Sequence, residues 1–146
     1  MPKHVLVPID SFSLEEENFD RLQEFLRKEN SNVMLTHVSD PSPPIFYLQD
    51  GFDGNFITTD EHRKACESYA NSLFKKAAER FQRDVRFQSR HVLDKDFSHA
   101  VIQVADDIQA DAIVMVSRKH RGIANLLSAS KTSEVINESK IPIIVL

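Results

Sequence analysis

Apolar positions follow two different patterns along the chain. Short apolar runs bounded by polar or turn-forming residues predict buried strands at residues 4–10, 32–39, 111–117 and 141–146. Residues 85–93 instead alternate apolar with polar positions. That alternation is typical of a half-exposed strand at the edge of a sheet.

Segments with a helical period separate these strands. Residues 97–108 have apolar positions three, four, seven, eight and eleven residues apart, which predicts an amphipathic helix. The spacings Ser13 to Glu16 and Thr58 to Glu61 match capping boxes and predict two further helix starts. The last helix is predicted at residues 126–139. In the helix after Thr58, apolar side chains at steps of four suggest the buried face: Ala65, Tyr69, Leu73, Ala77 and Phe81.

The resulting order of elements, β-α-β-loop-α-β-α-β-α-β, predicts an α/β fold. Strands that alternate with helices form a parallel sheet with right-handed crossovers and helices on both faces. The 146 residues fit one domain spanning residues 1–146. The loop at residues 40–57 has three prolines, two glycines and many large apolar residues. Loops of this length are usually functional or mobile, so we expect it to cover a cleft or to face a partner.

Composition excludes several classes of function. The formal net charge of −4 and the pI of about 5.8 argue against a general nucleic-acid or anionic-membrane binder. No apolar run approaches the roughly 20 residues of a membrane span, and no signal peptide is recognisable. With Cys66 as the one cysteine, an internal disulfide is impossible, and the cytoplasm is the expected compartment. The six histidines have no metal-binding spacing, so no metal is expected.

A ligand in such a sheet binds outside the carboxyl ends of the strands, where the strand order reverses. If the first strand is central, Asp10, Ser11 and Ser13 line one side of a crevice. Residues 117–122 line the other side, and Val38 and Ser39 are the next neighbours. Asp10 has two interpretations: it binds a ribose or an adenine, or it accepts hydrogen bonds from backbone N–H groups in its own turn.

The turn at residues 117–122 is strongly basic. It has Arg118, Lys119, His120 and Arg121 before Gly122. These charges either hold an anion through their side chains or form a solvated loop beside a helix start, where positive charge is unfavourable. No nucleophile elbow or catalytic set is recognisable. Cys66 is interpreted as a buried, inert thiol, and His37 as a core or ladder histidine.

Nearly the whole chain resembles the universal stress protein family. The resemblance rests on V-P-I-D at the first strand, L-T-H-V at the second, A-D-A-I-V-M-V at the fourth and the closing S-K-I-P-I-I-V-L. It implies a five-stranded parallel sheet in the order 3-2-1-4-5, of the Rossmann-like, adenine nucleotide alpha hydrolase-like type. It also implies dimerisation through the last strand, which is common in the family.

The same resemblance has implications for the binding of ATP. Family members that bind ATP have a glycine motif whose glycines fall at Val116, Lys119 and Ala129 of this chain. All three glycines are absent, whereas Ser130 matches the motif and Gly122 matches another common family glycine. Asp10 and Val38 match family residues on the adenosine side; Ser11 and Ser117 complete the candidate nucleotide site. Side chains at three such positions should clash with a triphosphate. The resemblance is therefore to the branch that lacks the ATP-binding motif.

The last strand predicts an assembly. Left open at the sheet edge, it would invite aggregation, so we expect two copies to pair along it as a homodimer. The predicted interface is Ile141, Pro142, Ile143, Ile144, Val145 and Leu146.

Two functions follow. The first is a non-catalytic, homodimeric stress-response protein without a cofactor, which acts through contacts with a protein partner and does not bind ATP tightly. The alternative is a sensor that binds ATP or AMP weakly.

Overall fold

The computed structural model describes residues 3–42, 58–116 and 123–146, and of residues 123–130 only the backbone. The described elements, in chain order, are β1 His4–Pro8, α1 Glu16–Glu29, β2 Asn32–Ser39, α2 Thr59–Arg80, β3 Arg86–Leu93, α3 Phe97–Ile108, β4 Ala112–Met115, α4 Ile123–Glu138 and β5 Ile143–Val145. This order confirms the alternation of strands and helices that the apolar pattern predicts.

The five strands form one parallel sheet in the order β3-β2-β1-β4-β5. The expected strand order is confirmed, and β1 is the central strand. Val5 and Val7 of β1 pack against α1 and α2, with Phe19 and Leu73 among their buried neighbours. Leu6 points to the other face, where the buried side chains come from α3 and α4. Because successive side chains of a strand point to opposite faces, β1 contributes to both cores.

Pro8 ends β1 where a missing donor is tolerated. Alternate N–H groups of a parallel strand bond to opposite neighbours, and the next one along, Ile9 N–H, donates to Thr36 O of β2 at 2.8 Å. The donor that Pro8 lacks would therefore face β4. The ladder between β1 and β4 covers only Val5 and Leu6 of β1, so no ladder bond is lost. Beyond Leu6 the two strands part.

The predicted capping boxes have different outcomes. Thr58 caps α2, since its hydroxyl oxygen accepts from the backbone N–H of Glu61 at 3.0 Å. The prediction for Ser13 is wrong: α1 begins at Glu16, and the Ser13 hydroxyl bonds back to Asp10. The turn after β1 competes for the same serine, and the tighter local turn prevails.

The buried face of α2 also differs from the expected one. Ala70, Leu73, Phe74 and Ala77 are buried, whereas Tyr69 is 48% exposed and Ala65 is exposed. At 3.6 residues per turn, a step of four advances about 40° around the helix, so five such positions cannot share one face. The first turns of α2 therefore extend beyond the core.

Other element bounds shift by a few residues. α4 begins at Ile123 rather than at residue 126 and ends at Glu138, while β4 and β5 are shorter than predicted. The first and third helices end on residues in the left-handed conformation, Asn30 (φ 51°) and Gln109 (φ 55°). Of the loop predicted at residues 40–57, residues 43–57 lie outside the described part of the chain. None of the described helices is long and apolar enough to cross a membrane.

The ends of β1 and β4 opposite the crevice are joined by Asp111. Its Oδ2 accepts from the backbone N–H groups of His4 and Lys3, each at 2.9 Å, and its own N–H donates to His4 O at 2.8 Å. The hydrogen bonds from His4 and then Lys3 hold the pKa of Asp111 below its ordinary value of 3.8.

Replacing this carboxylate should change acid stability. A depressed pKa means that Asp111 stabilises the fold above pH 3.8, and that this contribution is lost as the pH falls through the lower folded-state value. Asp111→Asn should lower the free energy of unfolding at pH 7 and should approach the parent protein at the acid end of that window. Urea unfolding between pH 2 and 7 measures both effects. Asp20→Asn, an exposed change on α1, is the control; equal losses in the two variants at pH 7 would contradict the role assigned to Asp111.

Candidate functional site

A crevice opens where β1 and β4 part at their carboxyl ends. Strand ends and the two helices of the second face line it: Pro8, Ile9, Asp10, Ser13, His37, Val38, Phe97, Met115, Val116, Lys131 and Thr132. It lies at the reversal of strand order, where a doubly wound sheet binds ligands. The cavity volume of about 90 Å³ is well below the roughly 300–1,000 Å³ of common small-molecule sites.

Asp10 and Ser13 form a closed turn on the β1 side. Asp10 Oδ1 accepts from the Ser13 N–H at 2.9 Å and from the Ser13 hydroxyl at 3.1 Å. Ser13 Oγ in turn accepts from the Asp10 N–H at 3.2 Å. The second interpretation of Asp10, a side chain that caps its own turn, therefore describes these contacts. Ser11 is exposed and is not among the lining residues.

Two valines form much of the apolar wall. Val38, near the end of β2, packs partly buried against the core formed with α3 and α4. Val116 follows β4, is 9% exposed and packs into the core on the opposite face. A branched side chain therefore lies directly at the end of β4, at one of the three positions where the resemblance implies a missing glycine.

Several candidate residues lie either outside the described residues or in the part of α4 where only the backbone is described. Ser117, Lys119 and Gly122 fall outside the described residues, as do the neighbouring Arg118, His120 and Arg121. Ala129 and Ser130 lie in α4, whose backbone is helical there. The residues directly after them, Lys131 and Thr132, line the crevice.

His37 lies on the β2 side of the crevice. Its Nδ1 is 2.8 Å from Ile9 O; since a carbonyl only accepts, the proton is on Nδ1 and this nitrogen donates. The His37 ring meets Tyr69 edge-on at 5.5 Å and stacks with His91 at 6.2 Å. His91 Nε2 is 2.9 Å from Ser39 Oγ. His37 therefore ties β2 to the end of β1, the structural role expected of it, while also facing the crevice.

The start of α3 brings Phe97 to the crevice. Asp96 caps the helix by accepting from the His99 N–H at 3.1 Å. Asp94 Oδ1 accepts from the Asp96 N–H at 2.9 Å, and its Oδ2 lies 2.9 Å from His99 Nδ1. The hydrogen bond from Asp96, and then that from His99, lowers the pKa of Asp94, and the Asp94 carboxylate raises the pKa of His99.

Sequence reasoning missed Lys131, Thr132 and Met115 as crevice residues. The ammonium of Lys131 lies 5.2 Å from the centroid of the Phe97 ring, a cation–π distance. The available signal was its spacing: Lys131 lies four residues before the apolar Val135, on the same face of the helix.

Cys66 differs from its interpretation as a buried thiol. The residue is half-buried, because the first turns of α2 extend beyond the core. Its Sγ is 3.5 Å from His62 Nε2, and that nitrogen is also 2.9 Å from Asp40 O. Across the three described stretches, no group of three or more His, Cys, Asp or Glu residues is arranged to hold a metal ion.

A family comparison covers the full chain. The model of the universal stress protein family matches residues 1–146. Universal stress protein A homolog 1 of Coxiella burnetii is 25% identical over 131 residues, which are 87% of this chain and 84% of that protein. A universal stress protein of Methanocaldococcus jannaschii is 25% identical over 153 residues, covering 99% and 94% of the two chains.

Solved structures share the fold at lower identity. The Methanocaldococcus jannaschii protein superposes with a TM-score of 0.70 at 19% identity, over 99% of this chain and 94% of that one. A universal stress protein in complex with cAMP has a TM-score of 0.63 at 17% identity, over 99% and 96%. One from Archaeoglobus fulgidus in complex with dAMP has a TM-score of 0.58 at 15% identity, over 98% and 96%. These likenesses establish the strand order and the layers of the fold.

The pKa of His91 should depend on His37, whose ring stacks with that of His91. Burial lowers the pKa of His91 below its ordinary value of 6.5, the charge of His37 lowers it further, and Glu67 opposes both. His37→Asn keeps an N–H near Ile9 O but removes the charge, so the pKa of His91 should rise toward 6.5. Glu67→Gln should lower it further. NMR titration of the His91 ring measures both shifts; movement in the same direction in both variants would contradict this account.

Proposed function

The chain belongs to the universal stress protein family, and on that premise we propose a non-catalytic stress-response protein that acts as a homodimer through protein contacts. It works in the cytoplasm and does not bind ATP tightly. The observation that carries the proposal is the crevice itself. Its cavity of about 90 Å³ is small for a triphosphate nucleotide, and Val116 covers the backbone at the end of β4.

The physical reason concerns how a phosphate chain is held. Backbone N–H groups bind phosphate only where the ligand can approach the main chain closely, and glycine permits that approach. Val116, Lys119 and Ala129 each add a Cβ at positions where the ATP-binding motif has none. A side chain at one such position hinders the approach of a phosphate, and side chains at three positions hinder its approach to most of the backbone donors together.

ATP binding tests this part of the proposal directly. We expect no nucleotide to be released when the purified protein is denatured and analysed by mass spectrometry. Calorimetric titration with ATP and Mg²⁺ should show no affinity tighter than about 100 μM, which corresponds to roughly −5.5 kcal/mol. A variant with Lys119→Gly and Ala129→Gly should bind ATP more tightly than the parent, because it regains two motif glycines; Lys75→Gly, an exposed change on α2, is the control for glycine substitution. Co-purified ATP would overturn the proposal.

The homodimer is supported by the exposure of the closing segment. β5 pairs with β4 through Ile143, Ile144 and Val145, and none of the last six residues is fully buried. Val145 is 44% exposed, and Ile136 on α4 is 48% exposed. An apolar edge strand of this kind is normally paired or covered. A second copy related by a two-fold axis would do both.

Light scattering after size-exclusion chromatography tests the assembly. The parent protein should have the mass of two chains at micromolar concentration. Val145→Asp should give a monomer, because it places two charges near the two-fold axis of an apolar interface. Leu93→Asp is the matched control, since Leu93 is a similarly exposed residue (38%) at the end of the opposite edge strand. A monomeric parent, or a dimeric Val145→Asp, would contradict the interface.

A second function is favoured by the lining of the crevice. Asp10 and Val38, which match adenosine-side residues of the family by resemblance, line the crevice together with the positively charged Lys131. Two solved structures of the same fold contain cAMP and dAMP, which carry a single phosphate. The second candidate is therefore a sensor that binds an adenine nucleotide weakly. It is compatible with the first, because a monophosphate needs less of the glycine cradle than a triphosphate.

A further inference from the structure

One long edge of the sheet, formed by β3, is open among the described residues. β3 pairs with β2 through all eight of its residues, from Arg86 to Leu93, and no other described strand lies beyond it. It contains neither proline nor glycine, the residues that commonly interrupt a ladder. β5, the strand at the other edge, has only three residues. The β3 edge is therefore the longer of the two surfaces on which a strand can be added.

The backbone groups at this edge belong to alternate residues of β3. Asp94 N–H, directly after the strand, donates to Ser39 O of β2 at 2.9 Å, and Arg90 O accepts from the Thr36 hydroxyl at 2.9 Å. The even-numbered residues of β3 therefore face β2. Because alternate residues of a parallel strand face opposite neighbours, the N–H and C=O groups of the odd-numbered residues point away from the sheet. These residues are Phe87, Ser89, His91 and Leu93.

On the side of the sheet that faces α3, the β3 edge is basic. Arg86 and Gln88 line a groove of about 330 Å³ beside Ile108 of α3, and Arg90 lies 3.6 Å from Asp107 of the same helix. Within the three described stretches, Arg86 forms no ion pair. The strand itself has no aspartate or glutamate, although the whole chain has a net charge of −4. This side of the edge is thus locally positive on an acidic protein.

On the side that faces α2, the same edge is more apolar. The Phe87 ring packs 5.0 Å from that of Phe81, and Leu93 is exposed at the end of the strand. Ser89 and His91 lie between them. Since successive side chains of a strand point to opposite faces, an added strand matches this edge when acidic residues face α3 and apolar residues face α2.

We propose that the β3 edge binds an extended peptide segment of a partner protein in which acidic and apolar residues alternate. This rests on the proposed function, because it assigns a surface and a chemistry to the protein contacts through which the chain acts. Main-chain hydrogen bonds supply the affinity of such an added strand, and side chains select its sequence. Here the arginines supply the selection by charge complementarity.

A second copy of this chain fits the β3 edge less well. Antiparallel pairing about a two-fold axis places the arginine side of one edge against the arginine side of the other. Like charges directly opposite each other destabilise a pair of strands. Charges on an edge strand normally prevent association, and here they oppose it with a basic edge while favouring an acidic one.

Fluorescence anisotropy with the full-length protein tests the binding. The probe is a fluorescein-labelled peptide of about ten residues, the length of a long strand, in which glutamate and valine alternate. One control peptide alternates lysine and valine, and a second has the composition of the probe with its glutamates and valines in separate blocks. Both controls should bind at least about tenfold more weakly than the probe. Equal binding of the three peptides, or no binding of the probe at about 1 mM protein, would overturn the inference.

N-methylation of the peptide separates strand addition from simple charge attraction. One alternate set of peptide N–H groups faces β3 in the complex, and the other set faces solvent. Methylating the first set should abolish binding, whereas methylating the second should leave it unchanged. Equal effects of the two methylated sets would contradict an added strand.

Substitutions assign the selectivity to the basic side of the edge. Arg86→Glu should weaken binding of the probe about tenfold, because it replaces an attraction with a repulsion, and should strengthen binding of the lysine–valine peptide. Lys75→Glu, the same reversal of charge at an exposed position on α2, should do neither. Circular dichroism verifies that each variant is folded. An unchanged affinity for the probe in Arg86→Glu would overturn the assignment.

Failure of this inference is distinguishable from failure of the proposed function. Absence of peptide binding leaves the expected β5 dimer and the absence of tight ATP binding as they are. A monomeric parent or tight ATP binding overturns the proposed function without changing the peptide measurements. A dimer that dissociates in Leu93→Asp and persists in Val145→Asp would place a second copy on the β3 edge and would overturn the partner peptide.

Discussion

The parting of β1 from β4 is the constraint on which the rest of the structure depends. β1 pairs with β2 over its full length but with β4 only at Val5 and Leu6. Pro8 contributes to that asymmetry, because it has no donor to extend a ladder toward β4. Where the two strands separate, the polar residues at their ends lie beside apolar side chains from both cores, and the space between them is the crevice. At their opposite ends Asp111 holds the same two strands together.

The crevice as proposed lacks the residues that would let a phosphate reach the backbone. A backbone cradle depends on several residues that must lack side chains, so it is lost quickly when they are replaced. The basic composition of residues 118–121 is consistent with a turn released from a strict glycine requirement.

Most of the fold could be predicted because a strand that is buried on both faces has a recognisable sequence, a run of apolar residues without polar positions. The apolar run at residues 111–117 has no polar face, so a strand covered by helices on either side was the simplest interpretation. Features that depend on competing hydrogen-bond partners, or on contacts between residues far apart in sequence, could not be predicted. Ser13 fits a capping box and a turn equally well, and only the geometry after β1 decides between them. The stepping of Ala65 and Tyr69 suggested a core face that 3.6 residues per turn cannot sustain. Lys131 needed α3 beside it, since Phe97 lies far away in sequence.

The central position of β1 has a consequence for the order in which the protein can assemble. β2 follows β1 closely in the chain, but the contact between Lys3 and Asp111 spans 108 positions. During synthesis from the N-terminus, the side of β1 that faces β4 stays without its partner until most of the chain has emerged. Such long-range closure slows folding and leaves an unpaired apolar strand exposed to other chains. The nascent chain is therefore the state in which β1 is most open to association with other chains.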